Sequence, residues 1–192
     1  MVGSRITTKH DCIILDACCV MNLYASRKMG EIISAIAETV AVAVYVMKVE
    51  ALTVYQESKR AAPDDKEQID LQPFIDNEVL IAAALESDAE NAAFLEFATQ
   101  RLDDGEAATM AIAVNRNWAV ATDDRAARRI SQNQYEHIQL VSTPELMRHW
   151  QDIKKPDPHI LRHALLNTEN RANYLVGRRH PLYEWWQSCK EV

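Results

Sequence analysis

Short apolar runs alternate along this chain with stretches in which apolar residues recur at helical spacing. The run CIIL at 12–15 ends at Asp16, which is typical of a buried strand whose C-terminal end meets a polar site. Ile and Ala at helical spacing predict a helix over about 28–38, and VAVAVYV at 40–46 predicts a second strand. A second helix is predicted over about 47–60, which gives the order β-α-β-α.

The alternation continues to about residue 150. Residues 69–85 predict two short strands that turn at Asp76-Asn77, and residues 87–102 predict a helix. Five further elements are predicted: a helix over 103–113, the strand WAVAT, a helix from DRAARRI, the strand HIQLV, and a helix started by Thr143-Pro144. Strands that alternate with helices predict an α/β fold with a mostly parallel central sheet covered by helices on both faces.

The pattern changes near Gln151. The stretches DIKKPDPHILRHALLN and RHPLYEWWQ are helical in pattern, and no strand is predicted after them. We therefore expect one α/β domain over residues 1–150 and a helical C-terminal extension over residues 151–192.

Charge and composition narrow the class of protein. The 192 residues carry a formal net charge of −7, of which the extension from 154 holds +3 and the remainder −10. Such a balance argues against a protein that coats nucleic acid through overall positive charge. The longest apolar run, 40–47, is far shorter than the roughly 20 residues of a membrane span, and the N-terminus shows no secretory signal. We expect a cytoplasmic protein.

Acidic residues stand where predicted strands end and helices begin. The carboxyl ends of parallel strands meet at one edge of a sheet, where ligands usually bind. Four segments deliver acids to that edge, at Asp16, Glu50, Asp104 with Glu106, and Asp123 with Asp124.

Helix capping is the alternative explanation for each of these acids. Asp103 and Glu106 have the spacing of a capping box, Thr122 and Asp123 are good N-caps, and Asp16 is a candidate cap as well. Taken together, however, the acids exceed one cap per helix, and like charges at one edge repel unless cations relieve them. Carboxylates favour Mg²⁺ or Mn²⁺, and the six histidines lack zinc-site spacing.

The four acidic motifs, IILDACCVMNL, VMKVEAL, DDGEAATMAIA and ATDDRAAR, resemble in order and spacing those of the PIN-domain nucleases over about residues 11–148. The resemblance implies a PIN-like three-layer α/β/α fold. It also implies catalytic, metal-binding roles for four acids, a supporting role for Thr122, and two additional candidate ligands. The four acids are Asp16, Glu50, Glu106 and Asp124, and the additional candidates are Asp104 and Asp123. Which member of the Asp123-Asp124 pair faces the metal stays open.

By the same resemblance, the expected activity is that of an Mg²⁺- or Mn²⁺-dependent endoribonuclease that leaves a 5′-phosphate and a 3′-hydroxyl. The subgroup it resembles is related to the toxins of toxin-antitoxin pairs, which implies an antitoxin protein as partner and a homodimer. Arg125, Arg128 and Arg129 follow the fourth motif and are candidate RNA-binding residues, although a solvated helix face is an equal alternative.

Three alternative functions remain. The first is a catalytically silent PIN-like protein that binds RNA or a protein partner. The second is another acid-rich α/β protein: a haloacid-dehalogenase-like phosphatase needs D-x-D after the first strand, where this chain has DAC, and a receiver domain needs an acid pair before its first helix, a layout that this chain does not match. The third is a protein that acts chiefly as an interaction partner, with its activity silenced by a small antitoxin.

Overall fold

Five parallel strands form the central sheet in the computed structural model, which describes residues 9–48, 52–100 and 102–191. The order across the sheet is β5-β2-β1-β6-β7, and a separate antiparallel pair joins β3 to β4. The strands are β1 (Cys12–Leu15), β2 (Thr39–Ala43), β3 (Thr53–Tyr55), β4 (Lys66–Gln68), β5 (Ile81–Ala83), β6 (Ala119–Ala121) and β7 (Leu140–Val141). Helices flank this sheet, so the predicted α/β class with a mostly parallel sheet is confirmed.

Helices connect the strands and continue to the end of the described chain. They are α1 (Ala17–Ala25), α2 (Met29–Ile33), α3 (Val44–Lys48), α4 (Gln72–Asp76), α5 (Asp88–Thr99), α6 (Asp104–Arg116), α7 (Arg125–Gln134), α8 (Thr143–Lys154), α9 (Pro158–Arg171) and α10 (Tyr183–Ser188). In the described part of the chain, no helix combines the length and the apolar character that a bilayer crossing needs.

Strand β1 lies at the centre of the sheet because all four of its side chains are apolar and buried. Ile13 pairs with Val40 on one side and with Ala119 on the other. A strand that is covered on both faces needs a continuous apolar run rather than an alternating one, and CIIL supplies it. Asp16 follows directly, at the carboxyl end of the sheet.

Several predicted elements differ in the structure. The strand predicted over 40–46 ends at Ala43 and continues as the helix α3, since an apolar run alone does not distinguish a strand from a buried helical turn. The helix predicted over 47–60 is wrong at 53–55, which form β3. The first of the two strands predicted over 69–85 is the helix α4, which has a proline in its first turn.

The chain after residue 150 packs into the same core as the residues before it. Helix α8 runs through this position to Lys154, and α9 packs against α1 and β3. Trp186 is fully buried, and the guanidinium of Arg171 donates Nη1 to the carbonyl of Ala25 at 2.7 Å. The C-terminal helices therefore help to hold the last turn of α1.

A buried ion pair joins α5 to α6. Arg116 Nε donates to Glu90 Oε1 at 2.6 Å, and Glu90 Oε2 also accepts the amides of Glu86 and Ser87. The bond from Arg116 lowers the pKa of Glu90 to about 2, and the two backbone donors act in the same direction against its burial. The ionised form of Glu90 is thus favoured by folding.

We expect Glu90→Gln to lower the free energy of unfolding at neutral pH by roughly 1–3 kcal/mol, because it weakens charge-assisted hydrogen bonds to a buried group. The folded pKa of Glu90 lies below its ordinary value of 4.5, so this contribution is complete above about pH 4.5 and is lost as the pH falls toward 2. Urea unfolding of both proteins across this range measures the difference.

Glu86→Gln is the matched control, because Glu86 pairs with the same Arg116 at 3.3 Å but its side chain is 71% exposed. Glu86→Gln should lower the free energy of unfolding by less than about 1 kcal/mol. If Glu90→Gln and Glu86→Gln lower the free energy of unfolding equally, burial is not the reason that the bond between Glu90 and Arg116 stabilises the protein.

Candidate functional site

Three carboxyl groups from three separate segments approach one another at the carboxyl edge of the sheet. Asp16 follows β1, Glu106 lies in the first turn of α6, and Asp124 is the N-cap of α7. Burial, followed by the charges of Asp103, Asp16 and Asp124, raises the pKa of Glu106. The structure therefore places three of the four predicted metal-binding acids at one edge of the sheet, where the charges of Asp16 and Asp124 act on Glu106. The described group of possible metal ligands whose atoms lie within 4.8 Å of one another is a different one, formed by Cys18, Cys19 and Asp123.

Asp16 is held by three hydrogen bonds. Its Oδ1 accepts the amide of Ala17 at 2.8 Å, and its Oδ2 accepts the hydroxyl of Thr122 at 2.8 Å and the thiol of Cys18 at 3.3 Å. The residue is only 2% exposed, and this burial raises its pKa although the hydrogen bonds oppose the shift. Asp16 thus both caps α1 and presents a fixed, largely desolvated carboxyl group to the site.

Glu106 forms the predicted capping box with Asp103. The amide of Glu106 donates to Asp103 Oδ1 at 2.8 Å, and the amide of Asp103 donates to Glu106 Oε2 at 3.2 Å. Burial, followed by the charges of Asp103, Asp16 and Asp124, raises the pKa of Glu106 to about 7. The capping role uses Oε2 and leaves Oε1 without a hydrogen bond among the described residues.

Asp124 is tied to Asp16 through one hydroxyl. The amide of Asp124 donates to Thr122 Oγ1 at 3.0 Å, and the same hydroxyl donates to Asp16. Oδ1 of Asp124 accepts the amides of Ala126 and Ala127 at 2.6 and 2.8 Å, so it caps α7. Its Oδ2 has no hydrogen-bond donor in the described chain and is available to a cation.

Asp123 faces a different set of groups. Its Oδ2 accepts Asn22 Nδ2 at 3.0 Å, and its Oδ1 accepts the amide of Thr143 at 3.1 Å and the hydroxyl of Tyr174 at 3.3 Å. Of the pair Asp123-Asp124, it is therefore Asp124 whose charge acts on Glu106. Asp123 instead joins α1, α8 and the segment after α9.

A second cluster lies beside Asp123. The ligand atoms of Cys18, Cys19 and Asp123 lie within 4.8 Å of one another. Burial holds the pKa of Cys19 well above its ordinary value, so this thiol stays protonated and its S–H donates to Asp123 Oδ2 at 3.7 Å. The geometry is that of a hydrogen-bond network that connects Asp123 to Asp16 through the two cysteines.

The remaining predicted residues are placed as follows. Asp104 is exposed, and the member of the Asp103-Asp104 pair whose charge acts on Glu106 is Asp103. Glu50 lies outside the described residues. Arg125 and Arg129 are exposed on α7, whereas Arg128 is half-buried and donates Nη1 to the carbonyl of Thr122 at 2.9 Å.

The sequence motifs did not reveal the residues that hold Asp123. Tyr174, Thr143 and Asn22 lie 51, 20 and 101 positions away from it in the chain. Tyr174 belongs to the predicted extension, and burial together with the charge of Asp123 raises its pKa, so the phenol remains a donor. The available signals, a helix start at Thr143-Pro144 and an aromatic tail, gave no indication of these pairings.

Comparison with known proteins does not identify a family, since no protein-family model matches this chain and no curated protein matches it.

We expect Glu106→Gln to stabilise the protein by about 1–2 kcal/mol at pH values above about 7, in the presence of a chelator. Glutamine keeps the oxygen that accepts the Asp103 amide but removes a charge that three acids oppose. The folded pKa of Glu106 is raised from 4.5 to about 7, so the wild-type protein loses stability as the pH rises between these values.

Urea unfolding between these two pH values tests this expectation. The control is Glu57→Gln, which removes the charge of an exposed glutamate at least 41 positions away in the chain from each of the three acids. If Glu106→Gln is less stable than the wild type above about pH 7, the ionised carboxylate of Glu106 is not unfavourable in the folded protein.

Proposed function

We propose that this protein is a divalent-metal-dependent nuclease that hydrolyses phosphodiester bonds in RNA. The observation that carries the proposal is the placement of Asp16, Glu106 and Asp124 at the carboxyl edge of the sheet, where the hydroxyl of Thr122 bonds both Asp16 and the amide of Asp124. Burial, followed by the charges of Asp103, Asp16 and Asp124, raises the pKa of Glu106 to about 7. No salt bridge within 9–48, 52–100 and 102–191 involves any of these three acids. Their charge is therefore left for a cation to neutralise.

The donor set fits Mg²⁺ or Mn²⁺. Both ions prefer carboxylate and water oxygens, and Glu106 and Asp124 each keep one carboxylate oxygen without a hydrogen bond among the described residues. Asp16, Glu106 and Asp124 would hold the ion, and Glu50 remains a predicted fourth ligand. When bound, such an ion supplies charge neutralisation at the phosphate and acidification of the attacking water.

The chain's own residues prepare the site for this chemistry. The hydroxyl of Thr122 donates to Asp16 and accepts the amide of Asp124. It therefore fixes the orientation of Asp16 and the position of the start of α7. Arg128, on α7, stabilises the same turn because its guanidinium donates to the carbonyl of Thr122. Preorganised groups of this kind do not have to be reoriented during the reaction, which lowers its barrier.

RNA as the substrate is supported by the resemblance of the acidic motifs to PIN-domain nucleases. The same resemblance supports a toxin role, an antitoxin that covers the site, and a homodimer. Because the protein as a whole is acidic, RNA binding would need a local basic surface on the protein. The exposed Arg125 and Arg129 on α7 are the candidates for this surface.

The test is cleavage of a fluorescent single-stranded RNA with Mg²⁺, Mn²⁺ or EDTA. We expect metal-dependent cleavage that falls by about 100-fold or more in Asp16→Asn and in Asp124→Asn, because a bound ion contributes several kcal/mol to transition-state stabilisation. Glu57→Gln, at an exposed glutamate in another segment, is the matched control. Circular dichroism of each variant confirms that the fold is kept.

The alternative function, a catalytically silent RNA- or protein-binding module, gives a different result. In that case the RNA stays intact with either metal, although it is retained by the protein. Calorimetry with Mn²⁺ alone then shows whether the acids bind metal at all. Absence of both cleavage and metal binding would overturn the proposal.

The basic residues of α7 give a separate prediction. Replacing Arg125 and Arg129 together by glutamine should weaken RNA binding and reduce the slope of log K against log[salt] by about 1.4, since each phosphate contact on a single strand contributes about 0.7. The control is the double substitution of Lys59 and Arg60, which are exposed and lie in another segment. An unchanged slope in the α7 variant would identify these arginines as a solvated helix face.

A further inference from the structure

A pocket of about 430 Å³ lies at the opposite end of α1 from the acids. Its volume falls within the roughly 300–1,000 Å³ of small-molecule sites in proteins. Asp16 caps the first turn of α1, whereas Tyr24, which lines the pocket, is in the last turn. Eight residues of helix at 1.5 Å each separate the two positions by about 12 Å along the helix axis.

Three cationic side chains line this pocket, namely Arg27, Lys28 and Arg171. Two carboxylates also line it, but each is already paired. Arg171 binds Glu67, and Lys28 Nζ lies 2.7 Å from Glu31 Oε1. Arg27 has no ion pair with any described residue, so the pocket keeps an excess of one positive charge in a protein whose net charge is −7.

Arg171 forms the rigid floor of the pocket. It is 2% exposed, and it donates Nε to the carbonyl of Tyr55 at 3.1 Å and Nη1 to that of Ala25 at 2.7 Å. Burial lowers the pKa of Arg171, the charge of Glu67 opposes this shift, and the charge of Arg27 adds to it. Arg171 is thus a fixed cation that is paired with Glu67, and the positive charge of the pocket that has no ion pair among the described residues is that of Arg27.

Arg27 occupies a backbone conformation that favours glycine. Its φ is 60°, directly after the C-cap of α1 at Ser26, where a left-handed residue commonly ends a helix. Four other non-glycine residues of the described chain have a positive φ at the end of a helix, namely Glu78, Asn117, Lys155 and Asn173, so this conformation marks a helix end. The arginine side chain itself is exposed and lines the pocket.

Two aromatic rings supply the apolar part of the pocket. Tyr24 lies on α1, and Phe74 lies on α4. Phe74 packs against α2 beside Gly30, where a Cβ would lie 3.5 Å from the Phe74 ring, which is an ordinary van der Waals contact. Both rings are half-buried, which leaves part of each ring accessible to a ligand.

We propose that this pocket binds a nucleoside monophosphate, either as a free nucleotide or as the 5′-phosphorylated end of an RNA. The phosphate would contact Arg27, which has no ion pair with a described residue and whose fork matches phosphate geometry, and it would compete with Glu31 for Lys28. The base would stack on Tyr24 or Phe74, as bases do on aromatic side chains in single-strand binding sites. The site is separate from the acids, so it does not depend on the proposed nuclease activity.

The test is calorimetric titration of the full-length protein with AMP and with UMP, in EDTA. We expect saturable binding of at least one nucleotide with one site per chain, and binding about tenfold weaker for the matching nucleoside and for inorganic phosphate. Asp16→Asn should bind the nucleotide like the wild type, because the acidic site takes no part. Absence of saturable binding of both nucleotides below about 1 mM would overturn the proposal.

The decisive variant is Arg27→Gly. It should weaken nucleotide binding about tenfold or more, while its unfolding midpoint equals or exceeds that of the wild type, because glycine adopts the positive φ without strain. Phe74→Leu keeps an apolar side chain but removes a ring, and it should weaken the nucleotide more than inorganic phosphate. Arg60→Gln, an exposed arginine in another segment, is the matched charge control.

Two outcomes separate the possible sources of the ligand. A 5′-phosphorylated trinucleotide that binds as tightly as the mononucleotide supports an RNA end, and a trinucleotide that is excluded supports a free nucleotide. Nucleotide binding that is unchanged in both Arg27→Gly and Phe74→Leu would contradict the assignment to this pocket.

Discussion

The hydroxyl of Thr122 joins the two halves of the acidic site. It donates to Asp16 Oδ2 at 2.8 Å and accepts the amide of Asp124 at 3.0 Å, and the residue is fully buried. The backbone around it continues the parallel sheet, because the amide of Asp16 donates to the carbonyl of Ala121 and the amide of Thr122 to that of Val141. The relative position of Asp16 and Asp124 is therefore set by strand register and by the Thr122 hydroxyl, which is the arrangement that a preorganised cation site requires.

The same carboxylates stabilise helices and repel one another. Asp16 and Asp124 cap α1 and α7, and Glu106 completes a capping box with Asp103. Each cap is favourable, because it satisfies amides that have no partner within the helix and places negative charge at the positive end of the helix dipole. Burial is the main cause of the raised pKa values of Asp16 and Glu106, and the charges of neighbouring acids add to it. Capping and metal binding are compatible explanations for Glu106 and Asp124, since each cap leaves one carboxylate oxygen without a hydrogen bond among the described residues, whereas both oxygens of Asp16 already accept hydrogen bonds.

The sequence predicted features that depend on local contacts. Asp16 after CIIL and the D-x-x-E box each depend on neighbours within a few positions, and the structure shows both as helix caps. The cap predicted at Thr122 or Asp123 is wrong by one or two positions, because α7 begins after Asp124. The run VAVAVYV was ambiguous because only the surrounding structure decides where its strand ends. The orientation of Asp123 depends on partners that lie up to 101 positions away, so its spacing from Asp124 carried no information about it.

Helix α1 connects the two candidate sites, and α9 holds it in place. Asp16 lies at the positive end of the α1 dipole and Arg27 at its negative end, so the charge at each site also complements the helix. Thr168 Oγ1 donates to the carbonyl of Asn22 at 3.3 Å, and Asn22 in turn donates to Asp123. Arg171, one turn later on α9, bonds the carbonyl of Ala25 and lines the basic pocket. Helix α9 therefore bonds α1 at two places, at Asn22 through Thr168 and at Ala25 through Arg171. The C-terminal helices are thus part of the framework that positions the acidic site as well as the basic pocket.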